Sequence, residues 1–378
     1  MRRRAKRVSS CLNPGYGDNP AAMPFRISST RLRDIEAQRI CLIKPSALGD
    51  VVQALPLLGM LRARFPTATI SWVIRRALAD ILTGHPDLTE VIPFHRRGSW
   101  RESLRLLSLL RGRRFDLVFD LQGLSRTGFM TFATRAPLRV GLETAREGAS
   151  LACNCLLPDS NRDVAAHERY WRVAEALGMA DYPRTAVIPM AAADEAWVAD
   201  RLRNLPRPIL AIHPGAFWPT KRWPADKFSQ IVRRFGGSAV VVGSTGERDL
   251  AARCIEARGT AIPKRLNLAG ETTLKQLAAL LRTVDVLVSN DSGPMHLAAA
   301  LGTPVVGIFT CTNPKLSGPS GSIHELVSTN VACRGGYHKS CPRWGQAHLG
   351  CMDELSVDRV WSGLKRILER RRKEAQPA

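Results

Sequence analysis

The chain has 378 residues, 45% of them hydrophobic, and a formal net charge of +22 at pH 7. That length and apolar content suffice for two ordinary cores, and with no run of about 18 uninterrupted apolar residues nothing reads as a membrane span. Nine cysteines, an odd number without the spacing of a small disulfide scaffold, fit a reducing compartment, so cytoplasmic residence is expected.

In chain order, residues 1–37 come first. They hold eight Arg or Lys against three acids, a net +5 that leaves +17 on the remaining body. The opening MRRRAKRVSSCLNPGYGDNP has the basic start of a signal peptide without the apolar stretch that must follow. It is read as a disordered basic extension, with Met23 as an alternative start to Met1. The charge of the body attracts anions, whether nucleic acid, an anionic membrane surface or a phosphorylated substrate, unless it serves solubility alone.

Strand patterns then appear at RICLIK, TISWVI, VIPF and DLVFDL, with helical patterns over 51–64 and 103–112 between them. After YPRTAVIPM the cycle restarts with PILAIHP, SAVVVGS, VDVLVS and PVVGIF. Strands alternating with helices imply parallel sheets with crossover helices. Two doubly wound, Rossmann-like domains are expected, over 38–190 and 191–352, with a connecting helix over 195–202. Residues 353–378 are read as a C-terminal helix returning toward the first domain, ending in a basic tail. Such sheets bind ligands at the C-terminal ends of their strands, so two of them facing one another make a cleft.

Neither GxGxxG after a strand nor GxxxxGK[ST] occurs, which counts against a dinucleotide oxidoreductase and a P-loop NTPase. Instead VDVLVSNDSGPMHLAAALGTP ends a strand in a polar turn and puts Pro294 at the start of a helix. Free N–H groups at such a helix start receive phosphate, and Gly293 permits close approach of a ligand; Asp291 or Ser292 capping the helix is the structural alternative. IHPGAFWPTKRWP delivers Lys221 after another strand, either as a point charge beside a diphosphate or as a solvated lysine. In VVVGSTGERDLA, Glu247 at a helix start either accepts from ribose hydroxyls or complements the helix dipole. In ICLIKPSALGDVVQAL, Asp50 stands in a small-residue turn before a helix, where a plain N-cap is the bland reading.

Together IKPSALGDVVQALP, DLVFDLQGLSRTG, HPGA with KRWP, and NLAGETTLKQLAALLRTVDVLVSNDSGPMHLAAALGTPVVGIF resemble the ADP-heptose lipopolysaccharide heptosyltransferases, glycosyltransferase family 9. The resemblance covers residues 39–309. It implies a GT-B architecture with an N-terminal acceptor domain and a C-terminal nucleotide-sugar domain, and an inverting transfer of a sugar, heptose from ADP-heptose, to a lipopolysaccharide core or related glycan. No cofactor and no metal are expected. By the same matching, Asp50 is the general base. Lys221 is the diphosphate contact and Glu247 a ribose contact, while Asp291, Ser292, Gly293 and His296 form the nucleotide-sugar pocket. Arg97, Arg126 and Arg146 match regions that offer cations to the carboxylates and phosphates of an anionic glycolipid or polysaccharide acceptor, a task suited to the planar guanidinium fork. A peripheral location on the cytoplasmic face of the inner membrane goes with such an acceptor.

SWRESLRLLSLLRGRRFD aligns Leu104, Leu107 and Leu110 with arginines around them; it rests on an anionic membrane or, as expected here, packs against the N-terminal sheet. Cys333, His338, Cys341, His348 and Cys351 pair His with Cys at short spacing, but not at that of a standard zinc finger, and structural cysteines are expected. Two other classes stay open. A nucleotide-sugar epimerase on the same scaffold would release a changed free sugar. A basic nucleic-acid-binding protein is not expected, because the basic and aromatic interleaving of known modules is missing.

Overall fold

The computed structural model describes residues 28–158, 164–255 and 264–374. Its first half contains β1 (Arg39–Ile43), α1 (Leu48–Ala54), α2 (Pro56–Arg64), β2 (Thr69–Arg75), β3 (Glu90–Phe94), α3 (Trp100–Gly112), β4 (Leu117–Asp120), α4 (Ser125–Thr134), β5 (Leu138–Leu142), β6 (Cys155–Leu157) and α5 (Ala166–Ala176). The second half contains α6 (Ala192–Leu202), β7 (Ile209–His213), α7 (Ala225–Phe235), β8 (Ser238–Val241), α8 (Arg248–Ile255), β9 (Arg265–Asn267), α9 (Leu274–Thr283), β10 (Val286–Asn290), α10 (Gly293–Ala300), β11 (Val305–Phe309), α11 (Pro314–Ser317), β12 (Glu325–Ser328), α12 (Gly350–Glu354) and α13 (Val357–Glu374).

Each half builds a six-stranded parallel sheet, in the orders β3-β2-β1-β4-β5-β6 and β12-β11-β10-β7-β8-β9. Counted within its own half, each follows the same 3-2-1-4-5-6 winding, whose order reverses between β1 and β4 in one sheet and between β7 and β10 in the other. Strands such as β1 and β10 read as continuous apolar runs because helices cover both faces of a parallel sheet. In β1 the alternation still sorts the side chains: Ile40 and Leu42 enter one buried cluster, Cys41 and Ile43 another. The cluster containing Leu42, Val51 and Trp72 continues without a break into Leu280, Met295 and Leu297, so the two halves share one core where they meet.

Four expectations are corrected. Residues 28–37 are not part of a disordered extension: Ser29–Asp34 forms a 3-10 turn, Leu32 is fully buried, and Arg64 donates to the carbonyls of Arg33 and Ile35 at 2.9 Å each. The rest of that segment, with both candidate starts, lies outside the described residues. The single helix expected over 51–64 is two, because Pro56 has no N–H to continue α1 and instead opens α2. The connecting helix begins earlier than expected, at Ala192, and packs on α9.

The C-terminal helix does not return to the first domain. Val360, Leu364 and Ile367 of α13 join Phe228, Val288 and Ile308 in the core on the outer face of the second sheet, and Arg366 and Arg370 clamp Glu325 of β12 at 2.8 Å. Its apolar stripe is thereby consumed locally. The end of the expected basic tail, from residue 375, is outside the described residues. α3 packs on the first sheet as expected through Leu110, with Leu106 and Leu107 beside it, but leaves Leu104 exposed.

Candidate active site

Both winding reversals open toward the same interdomain cleft, and the loops that leave β1, β4, β7 and β10 meet there. Contact between the halves centres on α1 and α10, which pack against each other through two notches that only glycine permits. A Cβ at Gly49 would stand 2.5 Å from His296 Cδ2, and one at Gly293 would stand 2.8 Å from Leu48 Cβ. Gly49 therefore admits the His296 ring, and Gly293 admits Leu48. Gln53 Nε2 adds a contact to His296 Nδ1 at 3.3 Å.

Asp50 occupies the third position of α1, so it is not the N-cap residue. Its Oδ2 accepts from the Ala47 N–H at 3.2 Å and lies 3.7 Å from Lys44 Nζ, while its Oδ1 accepts from the Tyr170 hydroxyl at 2.9 Å. The Tyr170 ring also sits under the Lys44 ammonium, 4.8 Å from its centroid. Burial pushes the Asp50 carboxyl up, but Lys44, the Ala47 N–H, Tyr170 and His296 outweigh it and hold the group below the usual carboxylate range. Lys44 itself is buried, which draws it below an ordinary lysine against the opposing pull of Asp50 and Asp120. Burial raises Asp120 at the end of β4; its Oδ1 accepts from the N–H groups of Gln122 and Gly123, at 3.0 and 2.9 Å.

On the facing side, Lys221 is neither solvated nor unpaired. Its Nζ donates to Asp291 Oδ2 at 2.6 Å, which also accepts from the Thr312 hydroxyl at 2.6 Å, and it lies 4.8 Å from the Trp218 ring centroid. Ser292 stands at the N-cap position of α10 without capping it; its Oγ contacts His213 Nδ1 at 3.0 Å and Ser289 Oγ at 3.2 Å. The α10 N-terminus is thus left to other acceptors. Burial lowers His213 to about 4, with Glu247 opposing, and lowers His296 against Asp291 and Asp50.

Glu247 ends a short 3-10 turn, Thr245–Glu247, just ahead of α8. Its Oε2 accepts from the Ser244 N–H and hydroxyl at 2.7 and 2.8 Å, and a Cβ on Gly215 would strike its Oε1 at 1.9 Å, so this carboxylate lies over the loop leaving β7. Burial raises its proton affinity, but Ser244, His213 and Arg222 prevail and keep it below the ordinary range.

Arg97, Arg126 and Arg146 are exposed: Arg97 and Arg146 lie in the loops that follow β3 and β5, and Arg126 lies in the first turn of α4, after β4. These segments are tied together: Arg126 donates to the Arg96 carbonyl at 2.9 Å, and the Arg146 N–H donates to the Gly123 carbonyl at 2.8 Å. All three arginines share the sheet edge that carries Asp50. A cavity of about 450 Å³ adjoins the α1–α10 contact, lined by Gln53, His167, Trp171, Arg184 and His296 among others.

Lys44, Tyr170, His213 and Thr312 were not singled out by sequence. Lys44 stands inside the IKPSALGD stretch and was legible as part of it. Tyr170 is 120 residues from Asp50, in a helix without a motif, and only folding joins them. Cys333, Cys341 and Cys351 are free thiols, and among the described residues no group of three or more His, Cys, Asp or Glu is arranged to hold a metal ion. No helix of the described residues is long and apolar enough to cross a membrane.

Residues 103–344 match the family described as Glycosyltransferase family 9 (heptosyltransferase). The chain is 26% identical over 342 residues to the lipopolysaccharide core heptosyltransferase OpsX of Haemophilus influenzae, covering 87% of this chain and 96% of that protein. It is 30% identical over 324 residues to lipopolysaccharide heptosyltransferase 1 of Pseudomonas aeruginosa, covering 80% and 87%. In structure it is similar to the Escherichia coli ADP-heptose lipopolysaccharide heptosyltransferase II, with a TM-score of 0.71 at 24% identity over 88% of this chain and 99% of that one. The two six-stranded parallel sheets are those of the GT-B fold. The chain is a glycosyltransferase and belongs to glycosyltransferase family 9, the heptosyltransferase family of lipopolysaccharide core biosynthesis.

Proposed function

We propose that this enzyme transfers heptose from ADP-heptose, with inversion, to an anionic lipopolysaccharide-core or related glycan acceptor, and that Asp50 is its general base. One observation carries the reading: at the start of α1, where Gly49 packs against His296 of α10, Asp50 presents a carboxylate fixed by the Ala47 N–H and the Tyr170 hydroxyl, between an arginine-rimmed sheet edge and a helix N-terminus. In the step proposed, the acceptor hydroxyl oxygen attacks the anomeric carbon and its proton passes to Asp50. The bond from that carbon to the diphosphate oxygen breaks, and ADP leaves from the opposite face. Keeping Asp50 below the usual carboxylate range leaves it unprotonated at neutral pH. Lys44 and Tyr170 orient it and hold its charge.

For the donor, Lys221 shares its charge between Asp291 and the diphosphate. The uncapped N–H groups of α10 receive phosphate oxygens, and Glu247 faces the ribose hydroxyls. Arg97, Arg126 and Arg146 meet the acceptor's anionic groups. No metal enters these steps, and the domains over 38–190 and 191–352 act as the acceptor and donor halves. The reaction is placed on the cytoplasmic side of the inner membrane, without nucleic acid as a partner.

The test is to incubate the purified chain with a panel of nucleotide sugars, with and without a core oligosaccharide acceptor, and to follow nucleotide release and the glycan product. Acceptor-dependent ADP release from ADP-heptose, with a heptosylated product of inverted configuration, is the result expected. Turnover of another nucleotide sugar alone would refute the donor assignment, and a changed free sugar formed without acceptor would favour an epimerase.

A further inference from the structure

The first half carries an apolar face that the transferase reading does not use. Of the eleven large hydrophobic side chains exposed among the described residues, six lie on three adjoining elements: Trp100, Leu104 and Leu109 on α3, Phe129 and Phe132 on α4, and Leu151 on the Ala149–Ala152 turn. α3 abuts α4, and α4 abuts that turn. Singly scattered exposed apolar groups need no explanation, but a concentration of this kind on adjoining elements marks an interaction surface.

The charge around it selects the partner. Residues 96–114 hold seven arginines and one acid, and that acid, Glu102, is turned back onto the Ser99 N–H at 2.9 Å. Arg101 and Arg105 are exposed beside the apolar side chains, the Arg101 guanidinium lying 5.4 Å from the Trp100 ring centroid. Aromatic and aliphatic tips fringed by cations suit the boundary between headgroups and acyl chains, where apolar burial and attraction to anionic lipid add. The position fits as well: α3 and α4 both begin at the C-terminal strand edge that holds Arg97, Arg126 and Arg146. Seating this face on a bilayer brings that edge close to a substrate whose lipid lies in the same bilayer.

We propose that the α3–α4 face is a membrane-docking surface that seats the enzyme on an anionic phospholipid bilayer, with Trp100, Leu104 and Phe129 entering the interface and Arg101 and Arg105 meeting the headgroups. The value of this placement rests on the reading of a lipid-anchored acceptor, but the docking itself is tested without one.

The full chain is co-sedimented with vesicles of phosphatidylethanolamine and phosphatidylglycerol that contain no glycolipid, and with vesicles of phosphatidylcholine alone. Binding to the anionic vesicles, weakened by salt, is expected, with little binding to the neutral ones. Arg101→Ala/Arg105→Ala should weaken it roughly thirtyfold, the equivalent of about 1 kcal/mol for each cation at about 1.4 kcal/mol per tenfold. Trp100→Ser/Phe129→Ser should weaken it at least about tenfold, with thermal stability and transfer to a water-soluble delipidated acceptor unchanged. Absence of binding to anionic vesicles overturns the proposal, as does undiminished binding by both variants. Self-association of the wild-type chain that these substitutions abolish, without vesicle binding, also overturns it in favour of a protein interface. Failure of transfer to the soluble acceptor by the wild type counts against the transferase reading and leaves the sedimentation result to stand separately.

Discussion

Replacing Asp50 by Asn separates chemistry from architecture, and the structure sets the size of each effect. The amide keeps the side chain's volume and an oxygen able to accept from either Tyr170 or the Ala47 N–H. What it loses is the negative charge 3.7 Å from Lys44, a buried ammonium. Breaking a fully buried ion pair costs about 3–5 kcal/mol. Here the Asp50 side chain is 36% exposed and Asp120 also faces Lys44, so water and a second carboxylate moderate the loss. A destabilisation of roughly 1–2 kcal/mol is expected, more than the few tenths that a replaced cap alone would cost. Loss of a general base lowers turnover by roughly 10²- to 10⁴-fold, or about 3–5 kcal/mol of activation barrier.

The assay measures thermal stability, ADP binding by calorimetry and turnover at saturating donor on the same preparations. Lys44→Met, added to Asp50→Asn, removes the stranded cation and should recover most of the lost stability without recovering turnover. A folded, ADP-binding Asp50→Asn enzyme with near-normal turnover would refute the catalytic role. Recovery of turnover in the double variant would show that Asp50 serves only to neutralise Lys44.

Gly49→Ala should force His296 away from α1, because the new Cβ falls 2.5 Å from its ring; a loss of about 1–3 kcal/mol together with weaker donor binding is expected in melts and titrations, and an unperturbed variant would contradict the interlocked packing. Lys221→Ala strands the buried Asp291 carboxylate, so about 3 kcal/mol of stability and donor affinity should fall together; loss of neither would exclude the shared-charge role. Stability should also fall as pH drops through the range from about 6.5 to about 4. Burial lowers the proton affinity of His213, to about 4, and of His85, His167 and His296, so the unfolded chain binds protons there that the native chain refuses. Melts at about pH 7 and about pH 5 check it, and His213→Gln should flatten the slope.

The sequence alone determined the alternation of strands and helices and the four loops on which the site is built. Continuous apolar runs such as ILAIH and VLVSN are what a parallel sheet covered on both faces demands, and Gly, Pro and short polar residues mark each turn that follows. The edge strands β6, β9 and β12 do not stand out because three or four residues carry too little pattern, and the inner strand β5 does not because Arg139 and Gly141 interrupt its apolar run. Asp50, Lys221, Asp291 and His296 stand out as candidates because their stretches match the family's motifs; the local residues alone also allow a helix cap or a solvated side chain.

Only the tertiary structure decided the partners of those residues. Tyr170 reaches Asp50 because α5 packs on α1, Thr312 reaches Asp291 because β11 lies beside β10, and His296 enters the Gly49 notch because the two halves share a core. The same holds for Leu32, which a polar and basic neighbourhood disguised as disordered, and for α13, whose apolar stripe fits either half in sequence but is buried on the second sheet. Local sequence sets backbone preference and turn chemistry. Which buried charge meets which counter-charge is settled by long-range packing, where one side chain's environment is made by residues a hundred positions away.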